Sequence, residues 1–260
     1  MGNVEKHILL SQAIENVGLS TTTPIKTLAG QFVVASEELY FYVTNRLEGK
    51  QLKASTMYIE DYMPKARFIG EIIGQLSIAL TKIDVITNQA NIFKSAKEWA
   101  IPALAGKMDL PKSFVEMYEK EFGEIYESLP QQIIHRDPNP GTIIICGDNW
   151  GVLDFDLSER NIRIFDPCYA ATAILSESFE ADNTDKLSLW IMIYKNILYG
   201  YDEVVKLSDN EWKAIPYVVI TNQLISTAWF LGQEKYRDLY ETNKKMTEWM
   251  LLNFDNMLFE

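Results

Sequence analysis

Two short acidic segments dominate the chemistry open to this chain. The run His135-Arg136-Asp137-Pro138-Asn139-Pro140-Gly141-Thr142 sets one carboxylate in a loop rich in proline and glycine, and Val152-Leu153-Asp154-Phe155-Asp156 follows with two more. Between them, 142–146 is a β-branched run, 147–149 reads Gly-Asp-Asn, and 151–155 is extended again, which predicts a β-hairpin. Asp137 then lies just before the hairpin and Asp154 on its second strand, so both carboxylates reach one end of a small sheet. Phosphoryl transfer needs such a pair: one carboxylate takes or orients the proton of an attacking hydroxyl, and another holds magnesium against the phosphates.

The elements that must position this pair are mostly helical. Apolar positions Ile8, Leu9, Ala13, Ile14 and Val17 follow a 3.6-residue period before Gly18, predicting an opening helix with His7 at its surface or boundary. Residues 31–35 and 39–43 read as a second hairpin across the polar 36–38 turn, and 45–50 reads as a linker. The expected division is therefore 1–48 and 49–260. From about residue 59 helical stripes take over: Phe68, Ile69, Ile72, Ile73, Leu76 and Leu80, then Phe114, Met117, Tyr118, Phe122 and Ile125. After the hairpin, helices are expected over 170–178, 185–199, 208–217 (capped by Ser208, with Glu211 three residues on), 218–231 and 237–258.

Composition narrows the partners. With 24 basic against 36 acidic residues the net charge is −12, which excludes a general affinity for nucleic acid backbones but not a bound nucleotide. Two histidines and the well-separated Cys146 and Cys168 cannot assemble a zinc cluster, and both thiols are expected buried and reduced. The apolar stretch 189–201 is interrupted by Lys195 and Asn196, and no signal peptide opens the chain, so a soluble cytoplasmic protein without membrane contact is expected.

His135 to Thr142 resembles the catalytic loop H-x-D-x-x-x-x-N of the protein-kinase-like fold, and 152–156 resembles its metal-binding segment in the D-x-D form. That form, Leu129-Pro130 ahead of the histidine, and the later Arg163-Ile164-Phe165-Asp166-Pro167-Cys168-Tyr169 are most similar to the aminoglycoside phosphotransferase and choline kinase family, over roughly residues 5–250. The resemblance implies an α+β, protein-kinase-like fold, with a small N-terminal lobe (helix plus β-hairpin) and a large, mainly helical C-terminal lobe carrying an inserted β-hairpin. By the same resemblance 1–48 is the remnant of a nucleotide-binding lobe that lacks its first strands, the glycine-rich pair and the lysine strand. Asn45, Arg46 and Leu47 are then the hinge that meets adenine. Asp137 is the catalytic base, Asp154 the magnesium ligand, His135 a packing residue beneath the loop and Asp166 a helix brace. Glu5 takes the place of the family's helix glutamate, while Lys6, inside the helix, is no substitute for the missing lysine. The family's second metal ligand, an asparagine, is Thr142 here; Thr142, Asn139 and Asp156 are the residues that could share the metal.

Singly, Asp137 and Asp154 would be ordinary turn caps; with His135, Phe155 and the hairpin between them they read as an inherited site. Arg160 and Arg163 read as surface charges paired with Glu159 or Asp166. Trp190, Tyr194, Trp229 and Phe230 read as core, with an aromatic wall for a cationic substrate as the sharper alternative. The leading expectation is an ATP- and Mg2+-dependent phosphotransferase, monomer or homodimer, acting on a hydroxyl of an aminoglycoside, a choline-like amino alcohol or homoserine. The alternative is a non-catalytic, pseudokinase-like binding protein.

Overall fold

In the computed structural model, which describes residues 2–37 and 39–259, the opening helix α1 spans Gly2–Asn16 and the chain reverses at Gly18. His7 is buried, not at the surface: helix α1 presents His7, Ile8, Leu10, Ser11 and Ile14 to the protein. After β1 (Ser20–Thr21), β2 (Val34–Ser36) and β3 (Leu39–Phe41) pair antiparallel with Ser36 opposite Leu39. This is the expected 31–43 hairpin in shorter form; its turn residue Glu38 lies outside the described residues. Then come β4 (Lys50–Gln51) and α2 (Tyr62–Thr81). Helix α2 buries Ile69, Ile72, Ile73, Leu76 and Leu80 as the stripe requires, but Phe68 is exposed at 37%, one residue off its centre.

Two interrupted helical rods follow. The first joins α3 (Ile92–Ser95) and α4 (Ile101–Leu104) through a π-helical turn; the second joins α5 (Lys112–Met117) and α6 (Gly123–Tyr126) in the same way. Strands β5 (Gln131–Ile134), β6 (Ile143–Cys146), β7 (Asn149–Val152) and β8 (Glu159–Ile162) come next. Gly147 at φ +59° makes the two-residue turn of the β6–β7 hairpin, and Cys146 beside that turn is exposed, contrary to the buried thiol expected there. Strand β8 carried no clear sequence signal and pairs antiparallel with β5, Ile134 opposite Glu159.

The helical lobe is completed by α7 (Phe165–Ser176), α8 (Thr184–Val204), α9 (Asp209–Leu231), α10 (Arg237–Leu252) and α11 (Phe254–Met257). The expected break at 217–218 is absent: α9 runs on past Pro216, because burial of 214–220 on every side outweighs the lost backbone bond. Its Ser208–Glu211 capping box is complete. Helix α9 has the length and hydropathy of a membrane span, yet 72% of that stretch is buried within the fold, so its apolar surface is already used. Helices α2 and α8 approach through glycines: a Cβ on Gly70 would lie 2.0 Å from Ile197 O, and one on Gly200 2.0 Å from Arg67 O.

A mixed sheet of order β1-β7-β6-β4 joins the early chain to the hairpin. Ser20 and Thr21 run parallel to Gly151 and Val152, while Lys50 and Gln51 pair with Ile145 and Ile144.

Candidate active site

Strand β5 delivers His135, fully buried, into the loop. The backbone N–H groups of His135 and Arg136 donate to the two carboxylate oxygens of Asp166, each at 2.8 Å. Asp166 stands in the first turn of α7, so this helix braces the loop, and burial pushes its carboxyl up to about 7 against the pull of both N–H groups. Arg136 is held at φ +76°, with its guanidinium 3.2 Å from Glu159. The N–H of Asp137 donates to His135 Nδ1 at 3.2 Å, which leaves Nε2 as the protonated nitrogen, donating to the Leu153 carbonyl at 2.7 Å. Burial pushes the His135 pKa down to about 4, so the ring is a neutral bracket. It ties the Asp137 loop to the segment bearing Asp154.

The loop is closed from within. Asn139 Nδ2 donates to Asp137 Oδ1 at 2.9 Å while its Oδ1 accepts from Gly141 N–H at 2.8 Å. The Thr142 hydroxyl donates to Asn139 O at 2.9 Å, and the Thr142 carbonyl accepts from Leu153 N–H at 2.8 Å. Asn139 therefore touches the Asp137 carboxylate directly, whereas the buried Thr142 hydroxyl is turned into the loop. Tyr169 lines the same cavity as Asp137; burial first, then that carboxylate, raises its pKa.

Asp154 does not lie on the second strand. β7 ends at Val152, and Asp154 sits at φ +69°, a conformation that ends the ladder and turns its carboxylate out. Four non-glycine residues among those described have positive φ, and Arg136 and Asp154 are two of them; such strain gathers at functional sites. Burial raises the Asp154 pKa, and the neighbouring Asp156 and Asp137 carboxylates raise it further. Asp137, Asp154 and Asp156 are thus close enough to repel. Two cations stand nearby: Arg136 is paired with Glu159, and Lys6 Nζ donates to Ser158 O at 2.8 Å and feels Asp156 and Glu159, though burial lowers its pKa. Glu5 points to solvent, so Lys6 holds the inward position on α1 expected for Glu5. His7 Nδ1 accepts the Phe155 N–H at 3.2 Å and its ring lies against Tyr42. Tyr42 in turn feels the charges of Asp154 and Asp156.

Among the described residues no three His, Cys, Asp or Glu side chains form a ready cage. Magnesium usually takes one or two carboxylates and completes its shell with water and phosphate, and the mutually repelling oxygens of Asp154 and Asp156 suit a hard dication. The residues fit.

Other expected positions fall elsewhere. Asn45 Oδ1 accepts from Thr23 N–H, Leu47 leans on Gly151 of β7, and Arg46 is exposed; none of the three hydrogen-bonds the carboxylates. Arg163 is paired with the buried Glu211 at 2.6 Å, not with Glu159 or Asp166. Arg160 lies on β8, exposed. Trp190 and Tyr194 are core, whereas Trp229 is 47% exposed.

A polar cavity of about 390 Å3 opens beside the loop, with Asp137, Asn139 and Tyr169 in one wall and Asn222, Ser226 and Phe230 of α9 in another. A larger cavity of about 670 Å3, walled by Tyr199, Trp212, Tyr217 and Phe259, contains none of the loop residues, so size does not mark the chemistry. Sequence reasoning missed Lys6, Tyr42 and Asn222. The available signal for the last was the pair Asn222-Gln223 interrupting the apolar core helix α9.

A histidine-braced aspartate loop and a D-x-D turn on a helical lobe define a protein-kinase-like phosphotransferase fold. Residues 9–187 match the profile described as Phosphotransferase enzyme family, and the chain belongs to that family. Solved structures similar over nearly the whole chain include a microcompartment-associated aminopropanol kinase (12% identity, 99% of this chain and 83% of that one, TM-score 0.69). Amicoumacin kinase hAmiN in complex with AMP-PNP, Ca2+ and Ami is another (13%, 95% and 77%, TM-score 0.68). A choline/ethanolamine kinase family protein from Mesorhizobium loti is a third (13%, 97% and 81%, TM-score 0.65). No curated protein matches the chain.

Proposed function

We propose that the protein transfers the γ-phosphoryl group of ATP to a hydroxyl of a small molecule. The observation that carries this reading is the His135 ring, which takes the Asp137 N–H on one nitrogen and gives its proton to the Leu153 carbonyl with the other. The loop bearing Asp137, which lines a polar cavity, is thereby tied to the segment that leads to Asp154. Asp137 accepts the acceptor's hydroxyl proton as that oxygen bonds to phosphorus and the bond to the bridging oxygen of ADP breaks. Asn139 orients the Asp137 carboxylate. Asp154 and Asp156 would hold magnesium, which supplies positive charge against the phosphates. Segment 1–48 forms the nucleotide side, with Asn45, Arg46 and Leu47 toward the base, and 49–260 the acceptor side. Amino alcohols and aminoglycosides are the acceptor classes that the names of similar structures support.

The test is a thermal shift with Mg2+ and ATP, followed by ADP release over a panel of hydroxylated acceptors. Stabilisation by nucleotide and turnover lost in Asp137→Asn are expected. No shift at millimolar nucleotide would sink the reading, and binding without turnover would leave a pseudokinase-like binder.

A further inference from the structure

Asn222 lies on the wall of the cavity that contains Asp137, and its side chain is out of keeping with its surroundings. The residue is 5% exposed, yet neither the nitrogen nor the oxygen of its carboxamide has a hydrogen-bond partner among the described residues. Its neighbours are satisfied: Gln223 Nε2 donates to Asn243 Oδ1 at 2.8 Å, Thr227 and Thr247 share a bond at 2.8 Å, and the Thr221 hydroxyl donates to the Tyr217 carbonyl at 2.7 Å. A buried amide with both ends unpaired is costly, and native chains rarely retain one without a use for it. Asn222, Ser226 and Phe230 are four residues apart on α9, so they form one stripe on the face turned to the cavity. The terminal torsion of asparagine is soft, and the carboxamide turns toward a ligand at little cost.

We infer that Asn222 is the specificity-determining residue for the acceptor, reading a donor and an acceptor group presented together beside the hydroxyl that is phosphorylated. The inference rests on the phosphotransferase reading for the identity of that hydroxyl. A vicinal diol meets the requirement, one hydroxyl donating to Oδ1 and the other accepting from Nδ2; a carboxamide meets it equally. The rest of the wall agrees: Gln223, Asn243 and Thr172 are neutral hydrogen-bonding groups, and Glu177 is the one carboxylate besides Asp137. At about 390 Å3 the cavity is near the small end of ligand sites, which suits a compact polyol or hydroxy-amide. A quaternary amino alcohol with a single hydroxyl would leave Asn222 unpaired, and sites built to bond a polar group discriminate strongly against analogues that lack it.

The test titrates the full chain, with and without Mg-ATP, against glycerol and ribose as diols, serinamide as the carboxamide, and choline and ethanolamine as single-hydroxyl controls. Diols or serinamide should bind and turn over best, with the arms showing which of the two chemistries is read. Asn222→Leu, close in volume, and Asn222→Ala should each lower kcat/KM for that acceptor about 10- to 100-fold without lowering Tm, since an unpaired amide contributes nothing to folding. Unchanged kcat/KM in both variants, a preference of the wild type for choline, or a Tm lowered by several degrees in both would overturn the inference. If diols or serinamide bind and lose binding in both variants while no ADP forms, the inference stands and the phosphotransferase reading fails.

Discussion

The Asp137 loop and the Asp154 turn sit on either side of one imidazole, and they are built on opposite principles. Around Asp137 the loop is braced from within: Asp166 takes two N–H groups, Asn139 bonds both Asp137 and Gly141, and the Thr142 hydroxyl bonds the Asn139 carbonyl. Around Asp154 the carboxylates repel; Lys6 feels Asp156, while Glu159 is paired with Arg136 at 3.2 Å. One half is preorganised by the fold; the other is arranged for positive charge supplied from outside. Catalytic sites gain from fixing dipoles in advance, but a fixed counter-charge here would compete with a metal.

This contrast can be broken most decisively at Asp137. Asp137→Asn should lower turnover by about 10²- to 10⁴-fold, the range for loss of a general base, with little change in the unfolding midpoint; a stability loss as large as the activity loss would place Asp137 among the structural groups. Next in size is a pair of substitutions expected to act with opposite sign. Asp166→Ala leaves two buried N–H groups unpaired and should destabilise by about 3 kcal/mol in denaturant titration. Asp154→Asn relieves repulsion at a half-exposed position and should stabilise the ligand-free protein by less than about 1 kcal/mol, while removing the Mg2+-dependent part of ATP binding. Equal signs for the two would erase the distinction drawn here.

Proton linkage gives a third, smaller measure. Asp166 has a folded pKa raised to about 7, so its stabilising contribution is full at low pH and is lost as pH rises through that value. His135, lowered to about 4, contributes in the other direction, and its stability is lost as pH falls toward 4. Between about pH 4 and 6.5 the two slopes oppose. Asp166→Asn should uncover the histidine slope, with stability rising by up to about 1.4 kcal/mol per pH unit in that window; a flat profile in the variant would show that the two groups are not the ones titrating. The smallest effects belong to α1: Lys6→Met should cost about 1 kcal/mol in unfolding and Glu5→Gln less than about 0.5, in line with one inward and one solvent-facing side chain.

Both acidic motifs and the hairpin between them were legible because they are local: a β-branched run, a glycine turn and two aspartates at fixed spacing carry their own geometry. The positive φ of Asp154 was not, since Val152-Leu153-Asp154-Phe155 continues a strand pattern and nothing in side-chain type marks the turn. The facing of α1 was lost for another reason. Apolar and polar residues alternate closely along it, and its inward side is chosen by His7 bonding Phe155, 148 residues away. The break expected between 217 and 218 is absent because α9 is buried on every side there, which a local pattern does not show. Arg163 found Glu211 across the lobe, a pairing no local window contains.

The four-stranded sheet has a mechanical consequence. Residues 22–49 leave it at β1 and return at β4, on opposite edges of order β1-β7-β6-β4, which at about 4.8 Å per strand are roughly 14 Å apart. A flap held at one point swivels freely. This segment is held at both edges and touches the body again through Leu47 on Gly151 and Tyr42 on His7, so it is tied to the hairpin whose ends lead to Asp137 and Asp154. A force on this segment would therefore reach the hairpin from both of its edges at once.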